Sequence, residues 1–217
     1  MRATMDVRRR QRCVTGGCEL DASLPDGYVE TDRWTLDHVS WRQKLGATVF
    51  SLVAIVSTMG AAVAVLSLTG AEPEIRIELS QLLVAAALGL VLHELSHAAA
   101  FLALGGRPRF GGKAWTRLGP VLYVCAPDSY FGRGAYVFAG IGAVLVLGVL
   151  LLAVVAVAPA GSAVSNVAII AAVLNVAGGA GDAIITLAVL SHPRDARFED
   201  TGEGFVVYGP AAVGGTG

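Results

Sequence analysis

Residues 82–104 read LLVAAALGLVLHELSHAAAFLAL, an apolar run long enough to cross a bilayer as a helix, with His93-Glu94-Leu95-Ser96-His97 set inside it. On a helix, His-Glu-x-x-His puts two imidazoles on one face, one turn apart, with a carboxylate beside them. Such a pair can hold Zn²⁺ while the glutamate acts as general base on the attacking water. Placing these groups in hydrocarbon is costly, since a central ionised residue there costs about 2.5–3.5 kcal/mol. A bound metal supplies a reason for crowding two histidines and a glutamate into five such residues.

Composition points the same way. Of the 217 residues, 54% are hydrophobic and only 15% charged, with a mean hydropathy of +0.64. A soluble domain is about 25% charged, so the chain reads as an all-α polytopic membrane protein. The net charge of −1 says nothing about partners, and no basic, aromatic-rich patch points to nucleic acid. Cys13, Cys18 and Cys125 are odd in number and sparse, which makes no disulfide framework.

Four apolar segments stand out, at about Leu45–Leu68, Leu82–Leu104, Tyr136–Ala158 and Ala163–Leu190. Each has the twenty or so residues that a spanning helix needs. The second stops at Gly105-Gly106 before Pro108, and only residues 159–162 join the third to the fourth as a tight antiparallel hairpin. The expected organisation is a tail at 1–44, a four-helix membrane domain at 45–192 that carries the zinc site, and a second tail at 193–217. Arg8 to Arg10 are not followed by a short apolar core with a cleavage site, so no signal peptide is read there. Trp34 and Trp41 are expected to rest at the membrane surface.

Lysine and arginine set the orientation. The first tail holds eight, the loop from Gly105 to Gly134 five and the second tail two, whereas the remaining loop has Arg76 alone among Glu72, Glu74 and Glu78. The positive-inside rule puts both termini and the middle loop in the cytoplasm of a multi-pass cell-membrane protein. Within the middle loop, Arg109 to Trp115 and Pro120 to Cys125 are β-prone runs around Gly119-Pro120. They predict a small cytoplasmic hairpin over the end of the motif helix.

A catalytic zinc takes three protein ligands and leaves one position open. Asp182 is the one further acidic residue in an expected span, after the small-residue run Asn175 to Gly181. Counted inward at about 1.5 Å per residue, His93 and His97 lie roughly 17–23 Å deep and Asp182 roughly 24–28 Å, so parallel helices bring them to similar height. On its own such an aspartate is as readily a protonated acid or part of a proton path; beside the histidine pair it reads as the third ligand. Asn175, two turns before it, is either an amide that ties helices together or a donor to substrate or oxyanion. His192 is expected to be a solvated end-cap too far along to share the metal, and His38 a surface residue.

These residues resemble the site-2 protease group of intramembrane zinc metalloproteases, which carry a later Asn-x-x-Pro and Leu-Asp-Gly arrangement. This chain has Asn175 and Gly181-Asp182 without that proline or the glycine after the aspartate. A nearer resemblance is to a family of small bacterial and archaeal membrane proteins classed as zincin peptidases. It is carried by Pro25-Asp26-Gly27-Tyr28, the His-Glu-Leu-x-His-Ala helix, Gly181-Asp182, and the tail from Asp200 to Pro210. The resemblance implies Zn²⁺ on His93, His97 and Asp182, with Glu94 as catalytic base.

The expected function is therefore an intramembrane zinc metalloendopeptidase. It would cleave a membrane-embedded protein or peptide near the cytoplasmic face, with the lipid bilayer as its surroundings. The alternative is a non-proteolytic zinc-binding membrane protein with a structural, sensor or adaptor role. A third reading, a proton or ion translocator, expects polar residues in both halves of the bundle, and the outer half reads as bare.

Overall fold

A computed structural model describes residues 23–35, 39–70, 78–116 and 119–211. Cys13, Cys18, His38, Glu72, Glu74, Arg76 and Arg117 lie outside these residues. The chain is mostly helical, with four helices long and apolar enough to cross a membrane: α1 (Trp41–Leu68), α2 (Leu79–Ala103), α3 (Arg133–Val157) and α4 (Ala163–Leu190). All four lie within a few residues of the apolar runs. The outward faces are hydrocarbon, with Val56, Leu83, Val149 and Leu187 each more than half exposed.

Local chemistry sets the helix ends. Ser40 caps α1 reciprocally with Gln43, whose backbone N–H donates to the Ser40 hydroxyl while its side-chain oxygen accepts from the Ser40 N–H. Ser162 caps α4 by accepting from the Ser165 N–H. Gly105, at φ 77°, ends α2 in a conformation that side chains resist. Gly106 then lies so close to Phe131 that an added Cβ would sit 2.5 Å from the ring. The fourth helix packs against the other three, and its axis is interrupted at Gly179 beside Val144 of α3.

The expected hairpin is present, with β2 (Arg109–Thr116) antiparallel to β3 (Gly119–Cys125). Gly119 and Pro120 open β3 instead of forming the turn. Cys125 is a free thiol at its end, and burial raises its pKa.

The all-α reading needs correcting. A second, four-stranded antiparallel sheet runs in the order β1 (Tyr28–Thr35), β6 (Gly204–Pro210), β5 (Arg197–Asp200) and β4 (Phe131–Gly132). It ties segments before and after the helices together across most of the chain. Its inner side is aromatic: Phe198 and Phe205 are fully buried together with Phe131 of β4, against Tyr136 near the start of α3 and Phe101 near the end of α2. Trp34 stacks on Phe205, with centroids 5.3 Å apart, and so packs in this sheet. Its ring is held by tertiary contact, whereas Trp41 at the start of α1 is 71% exposed.

Two smaller expectations also change. His192 does cap the helix end, its Nδ1 2.8 Å from the Ala188 carbonyl oxygen, but it is not solvated: its side chain is only 16% exposed, with Nε2 3.3 Å from Asp32 Oδ2 and its ring edge-on to Phe198 and Phe205. The outer half of the bundle is not bare, because buried side-chain oxygens of Gln81, Ser165 and Asn166 lie near the N-terminal ends of α2 and α4.

Candidate metal centre

Helical spacing puts His93 and His97 on the same face of α2, where their rings meet edge to face. Asp182 comes from the first turn after the Gly179 interruption in α4. There the freed amides favour a carboxylate. The three side chains converge. His93 Nε2 and His97 Nε2 are 3.2 Å apart, and Asp182 oxygens lie 3.4 Å from the first and 3.6 Å from the second. These are the atoms that the sequence spacing brought into question, and no fourth His, Cys, Asp or Glu joins the group among the described residues.

The chemistry of the donor set tests whether a metal fits. His97 Nδ1 lies 2.7 Å from the Ala139 carbonyl oxygen, which can only accept, so the proton is on Nδ1. His93 Nδ1 lies 3.0 Å from Asn175 Oδ1. The Asn175 amide nitrogen donates to the Val144 carbonyl at 2.9 Å, which fixes the amide orientation and makes its oxygen the acceptor. Both imidazoles therefore donate from Nδ1 and turn a bare Nε2 toward the aspartate. Two nitrogen lone pairs and a carboxylate at such distances need positive charge among them, either a bound metal ion or a proton carried by one imidazole. Zinc bonds of about 2.0–2.2 Å at tetrahedral angles require ligand–ligand separations of roughly 3.3–3.6 Å, and the observed edges of 3.2, 3.4 and 3.6 Å lie within about 0.1 Å of that range. The residues present fit Zn²⁺.

Glu94 faces the same pocket. Of about 120 Å³, it is lined by the three donor residues and Glu94, by Tyr136 and Gly140 of α3, and by Tyr123 and Val124 of β3. The turn between β5 and β6 closes it, through Asp200 and residues 202–204. A second cavity of about 310 Å³ runs between α2 and α4 along Ala86, Gly89, Leu174 and Gly178, and reaches His93 and Glu94. The carboxylate thus sits where a pocket under the sheet and a groove along the helices meet.

Sequence reasoning missed Tyr136 and Asp200. The Tyr136 hydroxyl donates to Asp200 Oδ2 at 2.6 Å, and the Gly202 N–H donates to the other oxygen at 2.8 Å. Burial pushes the Asp200 carboxyl up to about 6, against the effect of both donors. No signal marked them in the sequence: Asp200 stands between Glu199 and Glu203 in a polar stretch, and Tyr136 reads as the start of an apolar span.

A family model described as "Putative zincin peptidase" matches residues 86–197, or 112 of the 217 residues. The match takes in the histidine pair, the hairpin, Asn175 and Asp182. Neither curated proteins nor solved structures give a match.

Proposed function

Because the chain belongs to this zincin peptidase family, we propose that it is an intramembrane zinc metalloendopeptidase that hydrolyses peptide bonds of membrane-embedded substrates near the cytoplasmic face. One observation carries the reading: two bare imidazole nitrogens and a carboxylate converge beside a glutamate at the junction of a pocket and a groove. His93, His97 and Asp182 hold the metal. Bound there, Zn²⁺ supplies Lewis-acid polarisation of the scissile carbonyl and of water. Glu94 takes the proton of the attacking water and passes it to the leaving amine.

Four features support the membrane setting: four long apolar helices, their hydrocarbon exteriors, the excess of Lys and Arg in the termini and middle loop, and a groove open between α2 and α4. In this reading both termini are cytoplasmic. A substrate helix lies against the groove, and its unwound cytoplasmic end reaches Glu94. The mechanism is of the site-2 protease kind, with Asp182 in the role of that group's third ligand. A structural or sensor role for the metal would favour a closed site with four protein ligands, and the donor group here has three members.

The test is Glu94→Gln in detergent-purified protein, beside wild type, with a membrane-embedded reporter helix. The variant should keep its zinc and lose cleavage by at least 100-fold. Retained cleavage refutes the mechanism.

A further inference from the structure

The third helix gives no side chain to the donor group, yet its backbone touches both sides of it. Between Phe138 and Gly142 the α3 helix widens into a π-helical step. The Ala143 N–H bonds back to the Phe138 carbonyl, five residues earlier, and to that of Gly140. An α-helical Ala143 would instead have bonded Ala139. The step therefore frees the Ala139 carbonyl, and that oxygen accepts from His97 Nδ1. One turn further along, the Val144 carbonyl accepts from the Asn175 amide and so turns Asn175 Oδ1 toward His93. Close packing permits this reach. A Cβ on Gly179 would stand 3.0 Å from Val144, and one on Gly148 would stand 3.8 Å from the Asn175 amide nitrogen.

We infer that the π-helical step of α3 and the Asn175 carboxamide are the positioning elements of the metal centre, holding His97 and His93 with Nε2 bare and aimed at Asp182. Asn175 is then a positioning residue acting through His93. One of its two amide hydrogens is engaged by the Val144 carbonyl, and its oxygen by His93. A peptide-bond hydrolase gains from such a second layer because a misdirected imidazole loses the metal. This rests on the reading of the site as a zinc centre.

The experiment uses full-length, detergent-purified protein with ¹⁵N-labelled histidine, zinc titrations, and Asn175→Ala beside Asn175→Asp. Removing the acceptor in Asn175→Ala should weaken zinc binding 10–100-fold and expose the His93 Nδ1–H to solvent exchange, with the His97 Nδ1–H still protected. Asn175→Asp keeps the oxygen that faces His93 and drops the donor to Val144, so it should restore zinc affinity to within a few-fold of wild type. If aspartate is as poor as alanine, the residue serves as a helix tie and the positioning role is overturned. For the π-helical step the readout is wild-type protein itself: a His97 Nδ1–H that exchanges freely, or a His97 metallated through Nδ1, overturns it. Wild type with no zinc at all would bring down the zinc reading and this inference together, whereas tight wild-type binding unchanged in Asn175→Ala overturns only the inference.

Discussion

Replacing Tyr136 by phenylalanine removes one hydroxyl and should make the stability of the protein depend on pH in a calculable way. Burial raises the Asp200 carboxyl from 3.8 to about 6. A raised acid favours the folded state at low pH, where both states are protonated, and that stability is lost as pH rises through 6. Above that pH the folded protein carries a buried carboxylate held by the Tyr136 hydroxyl at 2.6 Å and the Gly202 N–H at 2.8 Å. A hydrogen bond to a charged group contributes about 1.5–3 kcal/mol, and one to a neutral group about 0.5–1.5. Tyr136→Phe should therefore destabilise by about 1–1.5 kcal/mol more at pH 8 than at pH 5, moving the Asp200 transition up by about one unit at 1.36 kcal/mol per unit. For a chain of this size that corresponds to an extra loss of roughly 2–6 °C in Tm. The assay is thermal unfolding in detergent at both pH values and one fixed zinc concentration, with the variant compared to wild type. The same pair in an Asp200→Asn background should show no pH dependence. An equal loss at pH 5 and pH 8, or a pH dependence that survives Asp200→Asn, would refute the reasoning.

Other substitutions address the remaining parts of the site and its support. Metal analysis should find about one zinc per wild-type chain, and His93→Ala, His97→Ala and Asp182→Ala should each lose it, because two donors do not hold a catalytic zinc. Gly106→Ala places a Cβ 2.5 Å from the Phe131 ring and 3.1 Å from the Phe101 carbonyl, and should lower stability by about 1–3 kcal/mol in thermal unfolding. Phe198→Ala empties a fully buried site between helices and sheet and should cost about 3–5 kcal/mol. Limited proteolysis of that variant should cut within residues 201–204 faster than in wild type.

The four helices were legible because each span needs about twenty apolar residues in a row, a signal carried locally. The donor group was legible for a related reason: in such segments a histidine pair and an aspartate have few bland explanations. The second sheet was not. Tyr28–Thr35 is exposed along most of its length, so it lacks the alternation that marks a half-buried strand. Its partner is Gly204–Pro210, and nothing in either segment announces a pairing across the whole helical bundle. The chemistry of Trp34 suits a membrane surface, but nothing local in the sequence reveals that its ring stacks on Phe205. The Ala139 carbonyl was invisible for a deeper reason. Its availability follows from backbone register in α3, and no side chain encodes it.

The register of β1 on β6 has a consequence for how the protein comes into being. Trp34 pairs with Phe205, about 170 residues later, so β1 leaves the ribosome long before its partner exists. During that interval all four helices are made while the turn that walls the pocket is still missing. Long-range pairing of this kind is slow to form. The walls around Glu94 are thus completed only after every helix has been made, and the newborn chain carries all four helices before it has a finished pocket.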